Sequence, residues 1–323
     1  MKAWYKIRKH EIAGTLPVIH VNNADEIWHL AKIFFQDWIF RGQKDSSWEL
    51  ATSLERHFHA YLAECDKGKK DDKNMRSPSA YSLQFNVTSE KVAIENFKRL
   101  VNSNTDDVAT LALMQHYGGK TRLLDVTNSL FVALYFAFEE YNTNKKSKAI
   151  WCFNKRVLLK NFYSRIFYND IEDDNGDYID EQINNLIVSN EECISKANEI
   201  ISNYDNLEEE KQLGIIPLLL PCGNKRINSQ NAAFLFPCNI HRSFLENFYH
   251  SQYSEGENPG EIKIKNIIKL KDDSNLFDDM PLVKIIIPTK LRGLVENILV
   301  HANITPFSIY PDLTGIAKSI RYW

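Results

Sequence analysis

The stretch Leu111-Ala-Leu-Met-Gln-His-Tyr-Gly-Gly-Lys-Thr-Arg-Leu-Leu-Asp125, followed by Ser129-Leu-Phe-Val-Ala-Leu-Tyr-Phe-Ala-Phe138, constrains the fold more than any other part of the chain. A helix opened by Asp106 or Asp107 must stop at Gly118-Gly119, because glycine readily adopts the left-handed backbone that ends helices. The run to Phe138 carries no charge, yet it is well short of the ~20 residues that span a bilayer, so it is expected as a core helix. Between the two lies the polar corner Lys120-Thr121-Arg122. With Asp125 three residues on, a structural Arg122–Asp125 ion pair is expected there, and a ligand-holding role is the alternative.

The other elements follow from periodicity. Leu16–Val21 reads as a strand, Ala24–Asp37 as a helix capped by Asn22 or Asn23, and Trp38–Phe40 as a strand delivering Arg41-Gly42. The glycine lets the backbone approach a ligand or another chain segment closely. A helix is expected over Ser89–Leu100 and strands over Ala149–Phe153, Ile215–Leu220, Ala233–Phe236, Glu261–Leu270 and Leu282–Ile287. Arg226 and Gln230 fall on a connection. Thr289 is expected to cap a helix ending at His301, and Phe307–Tyr310 to form a strand before a proline corner and a short helix capped by Asp312.

There is no regular βαβ alternation, so the class is α+β in a single domain over 1–323, with a helical insertion at about 156–212. Acidic residues outnumber basic ones from 169 to 210, and the helical fragments 179–188 and 191–201 have thin apolar faces. That segment reads as surface-facing, either a solvated face or a docking site for a protein partner. The loop at 66–73 is mixed charge with no apolar residue.

Several chemistries are excluded. The net charge of -3 gives no global field for nucleic acid or an anionic membrane. Five scattered cysteines with no Cys-x-x-Cys pair argue for reduced thiols in a cytoplasmic protein, against a disulfide framework or a structural zinc. The amino terminus is too polar for a signal peptide. Gly119-Lys120-Thr121 resembles the end of a P-loop, but the earlier glycine would fall on Met114 and a helix precedes it where a strand is required. The histidines lack metal-ligand spacing, and no Gly-x-Ser-x-Gly elbow is present.

What remains is arginine chemistry. Arg41, Arg122 and Arg226 each sit beside small or polar residues near the end of an expected element, and a guanidinium fork matches a diphosphate. Gln230 offers donors and an acceptor. His116 and Tyr117 close a helix, where they either meet its last carbonyls or point into a pocket.

Together these residues resemble the FRG domain family. The likeness rests on FRGQ at 40–43, Trp48, Leu50 and Ser53-Leu54, the block 111–137, RINSQNAAF at 226–234 and IYPDLTGIAKSI at 309–320. Two departures stand out: Asp125-Val126-Thr127 where the family commonly has Asp-Trp-Thr, and Gln230-Asn-Ala-Ala-Phe234 where it has Gln-x-Gly-x-Phe. The resemblance implies a setting in bacterial anti-phage defence or toxin activity. The layout is also similar to that of ADP-ribosyltransferases, which implies a split mixed or antiparallel β-sheet with flanking helices and NAD gripped in its cleft without a metal. On that likeness Arg41, Gly42, Gln43, Tyr117, Thr121, Arg122 and Phe234 would contact the cofactor. Phe234 or Tyr117 would supply the aromatic packed on nicotinamide, and Arg41, Gln230 and Asp312 would serve the reaction. A non-catalytic module sensing a nucleotide or phage component is the rival, and a nuclease a more distant one.

Overall fold

The computed structural model describes residues 16–57, 78–140, 146–168, 189–203, 213–220, 225–252, 263–264, 277–278 and 280–320. Expectations for 66–73 and 179–188, and for 261–270 apart from Lys263–Ile264, lie outside the described residues. In chain order the elements begin with β1 (Val18–His20), α1 (Ala24–Ile33), β2 (Trp38–Gln43), α2 (Pro78–Val101) and α3 (Asp107–His116). They continue through β3 (Leu124–Thr127), α4 (Leu130–Phe138), β4 (Lys148–Asn154), α5 (Lys155–Tyr168), α6 (Asn190–Ser202) and β5 (Ile215–Leu218). Next come α7 (Lys225–Ser229), β6 (Ala232–Pro237), α8 (Phe244–Gln252), β7 (Lys263–Ile264) and β8 (Leu282–Ile287). A 3-10 turn (Thr289–Leu291) leads into α9 (Arg292–His301), and α10 (Pro306–Ile309) and α11 (Leu313–Ser319) complete the described fold.

The protein is α+β, with a mixed sheet in the order β5-β6-β3-β2-β4-β8-β1-β7. All neighbours are antiparallel except β1, which runs parallel to both β8 and β7. β4 is the central strand: all seven of its residues are buried, and it pairs with β2 and β8 along nearly its whole length. One joint is weak. β2 meets β3 at a single pair, Phe40 with Thr127, whereas β3 pairs with β6 over all four of its residues. The sheet is continuous, but past Phe40 its two halves part.

Local chemistry explains most elements. Asn23 caps α1 by accepting from the Glu26 amide at 3.0 Å, and Asp106 caps α3 by accepting from Ala109 N at 2.8 Å. Gly118 at φ +89° ends the α3 turn, and a side chain on Gly119 would lie 2.8 Å from the Met114 carbonyl. The chargeless α4 is a core helix, seven of its nine residues buried, packed across β2 and capped by Ser129. Among the described residues no helix is long and apolar enough to cross a membrane.

Three expectations are corrected. Phe307–Tyr310 is not a strand: Thr305 caps a helical turn by accepting from Ser308 N at 3.1 Å, with Pro306 in its first turn. Thr289 does not cap α9; its hydroxyl donates to the Lys146 carbonyl at 2.5 Å. Arg226 and Gln230 do fall on the connection between β5 and β6, and that connection carries a short helix, with Arg226 in α7 and Gln230 directly after it. In the acidic stretch, α6 does not simply face solvent. Its Cys193, Ala197, Ile200 and Ile201 are buried in a cluster with Leu111, Phe234 and Phe236, leaving Glu191 and Glu199 outside. A thin apolar face on an acidic helix was enough for core packing because α3 and β5 fill the rest.

Candidate functional site

Where β2 and β3 part, a cleft of about 610 Å³ opens, within the range of small-molecule sites. Arg41 stands at its base. The next ladder rung after Phe40 is not made; instead the Arg41 Nη1 donates to the Asp125 carbonyl at 2.7 Å and lies 3.9 Å from that residue's carboxylate. The Arg41 Nε is buried without a hydrogen-bond partner among the described residues. Burial first, then repulsion from Arg56, pushes the guanidinium's pKa down, and Asp125 pulls it back up. A half-buried cation that spends only Nη1 on a hydrogen bond suits an incoming anion.

A chain of hydrogen bonds sets the Asp125 side. The Thr121 hydroxyl donates to Gln115 Oε1, and Gln115 Nε2 donates to the Asp125 carboxylate at 2.6 Å. Thr121 itself is fully buried, its amide donating to the Ser53 hydroxyl at 3.0 Å. The expected Arg122–Asp125 pair is absent. Arg122 is buried and turned to the other side, its Nε donating to both Glu90 oxygens at 2.8 and 3.1 Å, its Nη2 also paired with Glu90, and its Nη1 donating to Cys238 O at 3.1 Å. The guanidinium also lies 5.0 Å from the Phe236 ring centroid. The corner is therefore scaffold: Thr121 reaches the cleft through Gln115, and Arg122 does not line it.

Gly42 and Gln43 line the cleft, but both are committed elsewhere. A Cβ on Gly42 would sit 2.0 Å from the Ala133 carbonyl, so the segment that needs the close approach is α4. Gln43 donates to Glu49 O at 3.1 Å and accepts from the Trp151 indole at 2.8 Å.

The far wall comes from α7 and β6. Gln230 and Phe234 both line the cleft; the Gln230 amide lies 3.4 Å from the Ile309 carbonyl, and Phe234, beside Asp125 in the ladder, is 4% exposed and packed mainly in the core. Arg226 stacks 4.5 Å from the Tyr310 ring centroid. His116 faces the same cleft; burial and then Arg226 lower its pKa, against an upward pull from Asp312. Tyr117 is 72% exposed and does not line the cleft. Asp312 caps α11, accepting from Thr314 N at 2.7 Å; hydrogen bonding by the Thr314 side chain, more than by its amide, lowers the Asp312 pKa, and the residue lies outside the cleft lining.

Several lining residues escaped sequence reasoning, among them Arg56, Glu139 and Trp48. Glu139, at the end of α4, faces the cleft and accepts from the Tyr310 hydroxyl at 2.6 Å and from Lys318. Trp48 stands at the cleft 53% exposed. Glu139 followed an apolar run with no signal of its own, and Trp48, seven residues after Arg41, carried no local sign of which way it faces.

The segment that supplies Arg41, the Thr121–Gln115–Asp125 chain and α4 coincides with a family match: residues 36–146 fit the model of the FRG domain. The chain contains an FRG domain. Comparison with curated proteins returned no match, and neither did comparison with solved structures. The FRG domain contributes β2, α3, β3 and α4, hence the base and one wall of the cleft. Arg226, Gln230 and Phe234, on the opposite wall, come from beyond the matched residues. Among the described residues no cluster of His, Cys, Asp and Glu could hold a metal ion.

Proposed function

We propose that the cleft binds a nucleotide carrying a diphosphate, with NAD as the substrate, and that the protein consumes it in an ADP-ribosyltransferase-like or NAD glycohydrolase reaction. The observation that carries this reading is the parting of β2 from β3 around Arg41, a cation that lines a nucleotide-sized space and spends only Nη1 on a hydrogen bond. Arg41 binds the diphosphate and Gln230 the ribose hydroxyls. The C1′–N bond to nicotinamide then breaks, its electron pair leaving on the ring nitrogen. The resulting ribosyl cation is attacked by water or an acceptor on a target molecule, and a nearby carboxylate steadies its positive charge. The setting proposed for this reaction is bacterial anti-phage defence or toxin activity.

A second reading has its own observation: the carboxylates near the cleft are engaged. Asp125 is held by Gln115 and Arg41, Glu139 by Tyr310 and Lys318, and Asp312 by its helix. A cleft with no carboxylate to spare would sense a nucleotide without turning it over, with the acidic 169–210 segment serving a protein partner.

Incubating the pure protein with NAD and following nicotinamide release by mass spectrometry separates the two. The enzymatic reading expects turnover that Arg41→Met abolishes. Nucleotide-dependent thermal stabilisation without product supports the sensor. For Asp312 the informative pair is Asp312→Ala and Asp312→Ser, because serine keeps the cap and removes the carboxylate. Loss of turnover in both variants assigns the carboxylate to the chemistry, and recovery in the serine variant assigns it to the helix.

A further inference from the structure

We infer that Trp48 is the platform on which the base of the bound nucleotide stacks, an assignment that rests on the nucleotide-cleft reading above. Tyr117 lies off the cleft, and Phe234 lines it but is only 4% exposed with its side chain in the core, so neither offers an accessible ring. Trp48 does: it lines the cleft, and no ring contact or side-chain hydrogen bond engages its indole among the described residues.

Isolated exposed apolar side chains are ordinary, so exposure alone says little. The loop beneath Trp48 says more. Trp48 N donates to Asp45 O at 3.2 Å, closing a turn in which the Ser47 amide and hydroxyl both donate to Asp45 Oδ1, at 2.9 and 2.6 Å. Asp45 is further held by Lys146 at 2.6 Å, and the Ser46 carbonyl accepts from Lys284 at 2.8 Å. Nearly every polar group of this turn is thus anchored, and the ring it carries is left bare. A rigid aromatic surface loses little freedom when it binds, which is the requirement for a stacking platform.

The neighbours fit the remainder of a nucleotide. Arg41 and Arg56 line the same cleft as the indole. A flat heteroaromatic base on Trp48 with its diphosphate on the arginines satisfies both halves of the site. The ligand class is therefore a base-bearing diphosphate, as in ADP or ADP-ribose, and inorganic pyrophosphate engages only the arginines.

Titration calorimetry with ADP and with inorganic pyrophosphate tests this on the full chain as wild type, Trp48→Ala, Trp48→Phe and Arg41→Met, with thermal melts confirming that each is folded. Stacking on an aromatic is worth about 1–3 kcal/mol per base, so Trp48→Ala should weaken ADP roughly ten-fold or more and leave pyrophosphate unchanged. Trp48→Phe should recover most of the loss, and Arg41→Met should weaken both ligands. Trp48→Ala binding ADP as tightly as wild type overturns the assignment, as does an equal loss for ADP and pyrophosphate. A wild-type protein that binds pyrophosphate with no gain from the base also overturns it while leaving the anion site intact. Binding of neither ligand overturns the platform and the nucleotide reading together.

Discussion

Arg41, which reaches the short strand β3 from β2, and Arg122, which precedes β3 in the chain, are used in opposite ways. Arg122 is saturated: Glu90 takes its Nε and Nη2, main-chain carbonyls of β6 and the residue after it take its Nη1, and no solvent reaches it. Arg41 spends one nitrogen on β3 and keeps its Nε unpaired beside a cleft. A saturated arginine has no donor left for a ligand, so its energy is all in the fold. An unsaturated one weakens the fold slightly and is ready for an anion. The difference separates a brace from a site when both are arginines beside polar residues.

The largest test of that contrast is Glu90→Ala. It strands the Arg122 charge in the core, and breaking a buried pair from one side typically costs about 3–5 kcal/mol. Arg41→Met removes one carbonyl bond and should cost only about 1 kcal/mol. Urea denaturation of the two variants measures both. Equal losses would mean that Arg41 is as structural as Arg122.

Gly42→Ala is expected next in size. The added methyl would meet the Ala133 carbonyl at 2.0 Å and the Ala137 amide at 2.8 Å, so α4 must lift from β2. Overpacking of this kind costs about 1–3 kcal/mol, and contact with backbone favours the upper end. Gly293→Ala is the matched control, since nothing lies within 4 Å of the added Cβ and the position is helical; it should gain about 0.5–1 kcal/mol. Thermal melts of the pair separate packing from the general effect of losing a glycine. A Gly42→Ala protein as stable as wild type would free Gly42 for a role at the ligand.

How far the sequence could be read follows the same division. β8, a run of β-branched residues, matched its expected bounds, and the caps at Asn23, Asp106 and Asp312 were visible because capping needs only residues a few positions apart. β3 was missed. It is four residues long, carries Asp125 and Thr127, and is a strand because β6 pairs with all of it. Glu90 could not be named as the partner of Arg122, because 32 residues separate them and only the packing of α2 on α3 brings them together. Asp125, three residues away, was the nearer carboxylate and the wrong one. Arg41 was singled out from the glycine beside it and does line the cleft, although that glycine proved to serve helix packing. Trp48 went unassigned because nothing local shows which way a loop aromatic faces.

The smallest effect concerns acid, and it asks whether the cleft side loosens before the brace. Asp45 anchors the turn that carries Trp48, and hydrogen bonds from Lys146 and Ser47 lower its pKa from 3.8 to about 2. A carboxylate depressed in the folded state stabilises it above the ordinary carboxylate range, and that contribution fades as pH falls from 3.8 toward about 2. The Lys146 partner is 59% exposed, so solvent screens the pair and the effect is modest. Thermal melts from pH 6 down to pH 2 should show Asp45→Asn with a shallower acid slope than wild type, the two curves converging at the acid end. Indole fluorescence should report the turn separately, the wild-type signal moving toward that of Asp45→Asn as pH falls. Were global unfolding and the turn signal to move together at every pH, the cleft wall and the Arg122 brace would be one cooperative unit, and the contrast between the two arginines would be chemical without being mechanical.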